Sequence, residues 1–178
     1  MRRSIWVALA FASLVSWTAN GASAQVVPGF GDFTPLPQAR ERPDPALDYK
    51  VLYVVQDGAR TPSQTNLGLD RAAKLANMLA AEGVPAGRRH IVVVVLSQAT
   101  ETVLSDAAYA ARHEGQKNPN AAIVAALIAG GVSVRICGQA MTNAKITPSQ
   151  LAPGVQLDVS ALVTSANLQL KGYAVWIN

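Results

Sequence analysis

Two stretches of the chain, residues 49–56 (YKVLYVVQ) and 89–97 (RHIVVVVLS), are nearly unbroken runs of Val, Ile, Leu and Tyr. A strand with one wet face alternates apolar and polar residues, so runs without alternation mark strands buried on both faces, as in a parallel sheet covered by helices. The segment between them has a helical pattern. Thr65 or Asn66 stands where a cap belongs, Ala72, Leu75, Ala76 and Leu79 make an apolar face, Asp70, Lys74 and Asn77 read as the wet face, and Gly83 ends it. Strand, helix and strand form a β-α-β unit, whose connection is long enough for a parallel crossover.

The alternation continues toward the C-terminus. A short helix is predicted over 106–113, and Asn118-Pro119 places a cap and a first-turn proline before a helix over 120–129. That helix is apolar on nearly every side and must be covered on both, by its own fold or by another subunit. Gly130-Gly131 ends it, and 132–136 is a third strand reaching Cys137-Gly138. A helical turn follows over 139–145, Thr147-Pro148-Ser149-Gln150 has the form of another helix start, and Pro153-Gly154 breaks the chain before a strand at 155–159. Ser160 caps a helix over 161–171 with Val163, Ala166 and Leu170 read as inward-facing, Gly172 stops it, and 173–177 is the last strand. These elements predict a three-layer α/β/α sandwich around a mainly parallel five-stranded sheet, with strand order left open.

Residues 1–24 read as a cleavable signal peptide. Arg2 and Arg3 precede a short apolar stretch from Ile5 to Trp17, and Ala22-Ser23-Ala24 offers a small-residue cleavage site. The domain plan is therefore a signal at 1–24, a Pro-rich extended arm at 25–48 and one α/β domain at 49–178, exported to the periplasm or secreted. No stable membrane insertion is expected after cleavage, because later apolar runs such as 91–96 are far short of a span. The arm holds Pro28, Pro35, Pro37, Pro43 and Pro45; it reads either as a mobile leader or as an arm anchored on a neighbouring subunit by Phe30, Phe33 and Leu36.

Fifteen Lys and Arg stand against eleven Asp and Glu, and two of the basic residues belong to the signal. The remaining basic residues are scattered and no stacking aromatics accompany them, which argues against a nucleic-acid partner. No metal site is expected, since His90 and His113 lack ligand-spaced neighbours, and no cofactor motif is present: neither a phosphate loop, nor a serine-nucleophile elbow, nor a dinucleotide fingerprint.

Cys137 is the one cysteine, so no intrachain disulfide forms and the thiol must be sheltered or used. It stands at the carboxyl end of a strand, where ligands gather in open parallel sheets. Two readings stay open. In the first, a helix starting at Gly138 or Gln139 favours the thiolate, Gly138 leaves room for approach and Gln139 binds a sulfur species. In the second, Cys137 is a small apolar packing residue and Gln139 caps the turn. Gln56-Asp57-Gly58 and Ser97-Gln98-Ala99-Thr100-Glu101 leave the same sheet edge, either lining a pocket with Cys137 or serving as plain turns. His113 is a candidate proton donor or a solvated histidine.

Asn118-Pro119-Asn120 before an apolar helix, Val134-Arg135-Ile136-Cys137-Gly138-Gln139-Ala140, Pro153-Gly154-Val155, and Leu168-Gln169-Leu170-Lys171-Gly172-Tyr173-Ala174 together resemble the DsrE/DsrF-like family, from Tyr49 to the C-terminus. The resemblance implies a DsrE-like sandwich, a homo-oligomer (trimer or hexamer) and a sulfur-carrier role. In that role Cys137 would hold sulfur as a persulfide between a donor and an acceptor protein, an activity at most sulfurtransferase-like. The alternative within the family is a non-catalytic oligomeric binding or assembly module with Cys137 structural. The exported address separates this chain from cytoplasmic relay members, so a tRNA-thiolation role is not carried over.

Overall fold

The computed structural model of the 178-residue chain describes residues 25–58 and 64–177. The signal read in 1–24 lies outside them. Five strands form one sheet: Tyr49–Val55 (β1), Arg89–Val95 (β2), Ser133–Cys137 (β3), Gln156–Asp158 (β4) and Ala174–Ile177 (β5). All neighbours are parallel and the order is β4-β3-β2-β1-β5. The two Val-rich runs are β1 and β2, two of the three inner strands, paired over their whole length from Tyr49–Arg89 to Val55–Val95.

The helices are Leu67–Ala81 (α1), Asp106–Arg112 (α2), Ala121–Ala129 (α3), Gly138–Asn143 (α4) and Ala161–Leu170 (α5). From β1 to β4 the chain steps across the sheet in one direction, then returns beyond β1 to β5. Crossovers of one hand put helices on one face while the chain steps one way and on the other face when it returns. Accordingly α1 and α3 pack on one face, against Val51, Tyr53, Val55, Ile91, Val93, Val95, Val134 and Ile136. The opposite face, with Leu52, Val54, Val92 and Val94, is met by α5 through Ala161 and Leu168.

The α5 contact corrects the sequence reading. Val163, Ala166 and Leu170 are exposed, and Ala161, Thr164 and Leu168 are the residues turned inward. Thr164 fixes this phase: its Oγ1 donates to the Asp158 carboxylate at 2.6 Å, tying the first turn of α5 to the end of β4.

The arm is not a loose leader; it lies against its own domain. Asn77, read as a wet residue of α1, is buried and accepts from the Val27 N–H at 2.8 Å, while its amide donates to the carbonyls of Val27 and Phe30. Val27 enters the core beneath it. Gly31 donates to Asp70 at 2.8 Å, and at φ +63 its Cα presses so close to α1 that a Cβ would sit 2.2 Å from the Lys74 nitrogen. Phe30 packs on the core, whereas Leu36 stays exposed. Farther along, Arg42 pairs with Glu82 and Arg88 donates to the Ala46 carbonyl.

The Asn118-Pro119 motif also does more than cap. Asn118 lies before the cap, and its amide donates to the carbonyls of Leu104 (2.7 Å) and Thr102 (3.1 Å) while its Oδ1 accepts from the Asn120 N–H. Asn120 is the cap residue of α3, but its side-chain oxygen accepts from the Asn66 N–H at 2.7 Å. Asn66 in turn caps α1 by accepting from Gly68 and Leu69. The amino ends of α1 and α3 are therefore locked together. Thr147-Pro148-Ser149-Gln150 opens only a single 3-10 turn, Pro148–Gln150, not a longer helix.

Candidate functional site

Cys137 closes β3 and is the residue before α4, as the sequence places it. Pleat alternation decides its surroundings. Val134 and Ile136 point toward α1 and α3, so Cys137 points to the other face and packs with Leu52, Val92, Val94, Ala161 and Leu168. It is a free thiol and only 5% exposed.

Gly138 is needed for a different reason from the one the sequence suggested. A Cβ there would lie 2.8 Å from the Asp158 carbonyl oxygen and 3.1 Å from that of Val159, so the missing side chain admits the end of β4 beside the turn. Gln139 is exposed, and its amide reaches the Val159 carbonyl at 3.5 Å, at the limit of a hydrogen bond. Its contact ties the turn to β4. Behind these residues Arg135 pairs with Asp158 at 3.5 Å.

The other two turns of this sheet edge do meet, without Cys137. Gln98 N–H donates to the Gln56 carbonyl at 3.1 Å, and the Asp57 carbonyl accepts from the Asn66 amide at 2.8 Å. After β2 the chain runs through tight 3-10 turns, Ser97–Val103, beginning with Ser97 in the left-handed region at φ 52. Thr100 and Thr102 donate back to the Ser97 and Ala99 carbonyls, and Ala99 and Val103 are fully buried, so the loop is rigidly held. Together with α2 and the start of α3 it borders a cleft of about 230 Å³, with Gly58, Gln98, Glu101, Tyr109, His113 and Asn120 on its walls.

Glu101 is the charged centre of that wall. Its two oxygens meet Arg112 Nε and His113 Nε2, each at 2.7 Å. Burial pushes its carboxyl pKa up, but the hydrogen bonds and charges of Arg112 and His113 outweigh this, and the net shift is downward. His113 is thus not a free solvated side chain: it is paired with Glu101 and stacked on the Tyr109 ring, centroids 4.0 Å apart. Burial, followed by the Glu101 charge, raises the Tyr109 phenol pKa. Sequence reading named Glu101 and His113 separately and missed Tyr109 and Asn120. Twelve residues separate Glu101 from His113, and only the turn into α2 brings them into contact.

Among the described residues no group of three His, Cys, Asp or Glu could hold a metal ion, and no helix is long and apolar enough to cross a membrane. What the structure defines is a parallel α/β/α sandwich with a rigid cleft at the carboxyl edge of β1 and β2 and a buried thiol at the end of β3. Residues 49–176 match the model of the DsrE/DsrF-like family, and the chain belongs to that family. Among solved structures it is similar to MTH1491 of Methanobacterium thermoautotrophicum, a protein of unknown function, at 20% identity and a TM-score of 0.56, covering 74% of this chain and 100% of that one. It is also similar to the ychN protein of E. coli, at 20% identity and a TM-score of 0.50, covering 72% and 99%. At these identities the likeness concerns the fold. No curated protein matches the chain.

Proposed function

We propose that this DsrE-family chain is an exported, non-catalytic binding and assembly module that associates with copies of itself, with Cys137 serving as a packing residue. The burial of Cys137 carries the reading: its sulfur belongs to the apolar cluster beneath α5, and β4 fills the space beside Gly138. Self-association is supported by α5. Val163, Ala166 and Leu170 recur at i, i+3 and i+7, the spacing of a buried helical face, yet in the single chain they face outward, with Leu162 84% and Leu170 88% exposed. Leu157, Val159, Trp176 and Ile177 on or beside the edge strands β4 and β5 add exposed apolar surface. A second copy is the occupant this pattern suits, because an apolar stripe on an exported protein otherwise invites non-specific aggregation.

The test is the mass of the protein in solution by size exclusion with light scattering. An oligomer, trimer or hexamer, that Leu162→Asp or Leu170→Asp dissociates while Cys137→Ala leaves it intact supports the reading. A monomeric wild type overturns the self-association half of it.

The position of Cys137 at the end of β3, directly before α4, favours a second reading, the sulfur carrier, in which the thiol accepts sulfane sulfur from a donor protein and passes it to an acceptor. Opening of the Val159 to Leu162 segment would have to precede it. Intact-mass measurement after exposure to inorganic polysulfide decides between them: a gain of one sulfur on native Cys137 supports the carrier, and an unmodified thiol refutes it.

A further inference from the structure

The cleft beside β1 and β2 contains two polar groups that the fold does not use, one of them buried. Asn120 is 2% exposed; its oxygen holds the Asn66 N–H, but its amide NH2 makes no hydrogen bond among the described residues. Tyr109 is 6% exposed, and its hydroxyl likewise has no hydrogen-bond partner among them. Both line the same cleft. A buried donor left unpaired costs about 1–3 kcal/mol, so the Asn120 amide calls for an acceptor in the cleft, and the Tyr109 hydroxyl that lines the same cleft is a second donor for it.

We propose that this cleft is a binding site for a small planar compound bearing a carbonyl-type oxygen, an amide or a carboxylate. Asn120 Nδ2 and Tyr109 Oη are donors for that oxygen. The flat surfaces of the stacked Tyr109 and His113 rings and of Pro119 bound the same space and suit a planar body. Glu101 does not bar an anion, because Arg112 and His113 flank its two oxygens. The exposed Gln98 amide at the mouth supplies an adaptable polar contact. A volume of about 230 Å³ is below the range of roughly 300–1,000 Å³ typical for drug-sized ligands, which fits a small metabolite-sized molecule. The walls are pre-organised: Asn118 clamps the loop after β2 and Asn66 holds Asn120, so little ordering remains for a ligand to impose. None of this involves Cys137, which faces the other side of the sheet.

The proposal rests on the binding-module reading and names the ligand class of that module; the test reads binding rather than assembly, so either can fail without the other. Benzamide and benzoate are titrated into the 15N-labelled full mature chain, following the Asn120 side-chain NH2 and the Gly58 amide by NMR. Saturable shifts at both positions with either probe support the site, and the tighter probe identifies the class. Tyr109→Phe keeps the ring and removes only the hydroxyl; it should weaken binding about fivefold or more, the loss of about one hydrogen bond. Gln139→Ala, at the other turn, should leave the affinity unchanged. Absence of saturable shifts with both probes, or undiminished binding by a folded Tyr109→Phe variant, overturns the proposal.

Discussion

The turn after β2 and the turn after β3 leave the same edge of one sheet, and they have opposite chemistry. The first is polar and hollow: Glu101, Tyr109, His113 and Asn120 surround a cleft, and side-chain hydrogen bonds from Thr100, Thr102 and Asn118 hold its backbone. The second is apolar and filled: Cys137 sits under α5, and β4 occupies the space beside Gly138. A strand-end address alone therefore does not make a reactive residue. Which face the pleat gives the last side chain, and what the next strand places against the turn, decide between a site and a packing contact.

Substitutions at the two turns test this contrast, and the largest effect is expected in the clamp of the first. Asn118→Ala strips the carbonyls of Thr102 and Leu104 of their partner and should destabilise the fold by about 3 kcal/mol, measured by urea unfolding. A loss below about 1 kcal/mol would mean that the cleft loop is not held as described. At the second turn, Gly138→Ala drives a methyl against two carbonyl oxygens and should cost about 2 kcal/mol. A neutral result would show open space beside the thiol, in favour of the carrier. Cys137→Ser places a hydroxyl in an apolar cluster and should cost about 1–2 kcal/mol, more than Cys137→Ala. Equal stability of the Ser and wild-type proteins would place the sulfur in a polar setting.

The smallest effect concerns Glu101. Its folded pKa is depressed, so its contribution is complete above the unfolded value, about 4.3, and is lost as pH falls through the lower folded value. Glu101→Gln should therefore cost under about 1 kcal/mol at pH 7, with the difference from wild type shrinking below about pH 4. A difference that grows toward acid pH would contradict the paired geometry.

The layered fold was legible because β1 and β2 are continuous apolar runs and because Asn66, Gly83, Ser160 and Gly172 bracket their helices. The phase of α5 was not. Periodicity picked out Val163, Ala166 and Leu170 as one face, but a period cannot say whether a face meets its own sheet or another surface, and the bond from Thr164 to Asp158 turns this one outward. Asn77 was misread because a polar residue on a helix counts as wet unless backbone from elsewhere comes to meet it, as Val27 and Phe30 do. At the site, a pocket lined by the β1 and β2 turns was one of two readings left open, the other being plain turns, and it included Cys137, whose exclusion depends on pleat parity at the end of β3. One residue of shift in that strand would have turned the thiol toward the opposite face.

The most direct measurement is the alkylation rate of Cys137 by iodoacetamide, followed by intact mass, in the native protein, in the Leu162→Asp variant and in denaturant. Leu162→Asp separates shelter by the fold from shelter by a neighbouring copy. The expected result is native labelling at least about a hundredfold slower than in the unfolded chain, and equally slow in Leu162→Asp, because the sulfur reacts only through local opening. Native labelling as fast as in denaturant would contradict it and make Cys137 a working thiol.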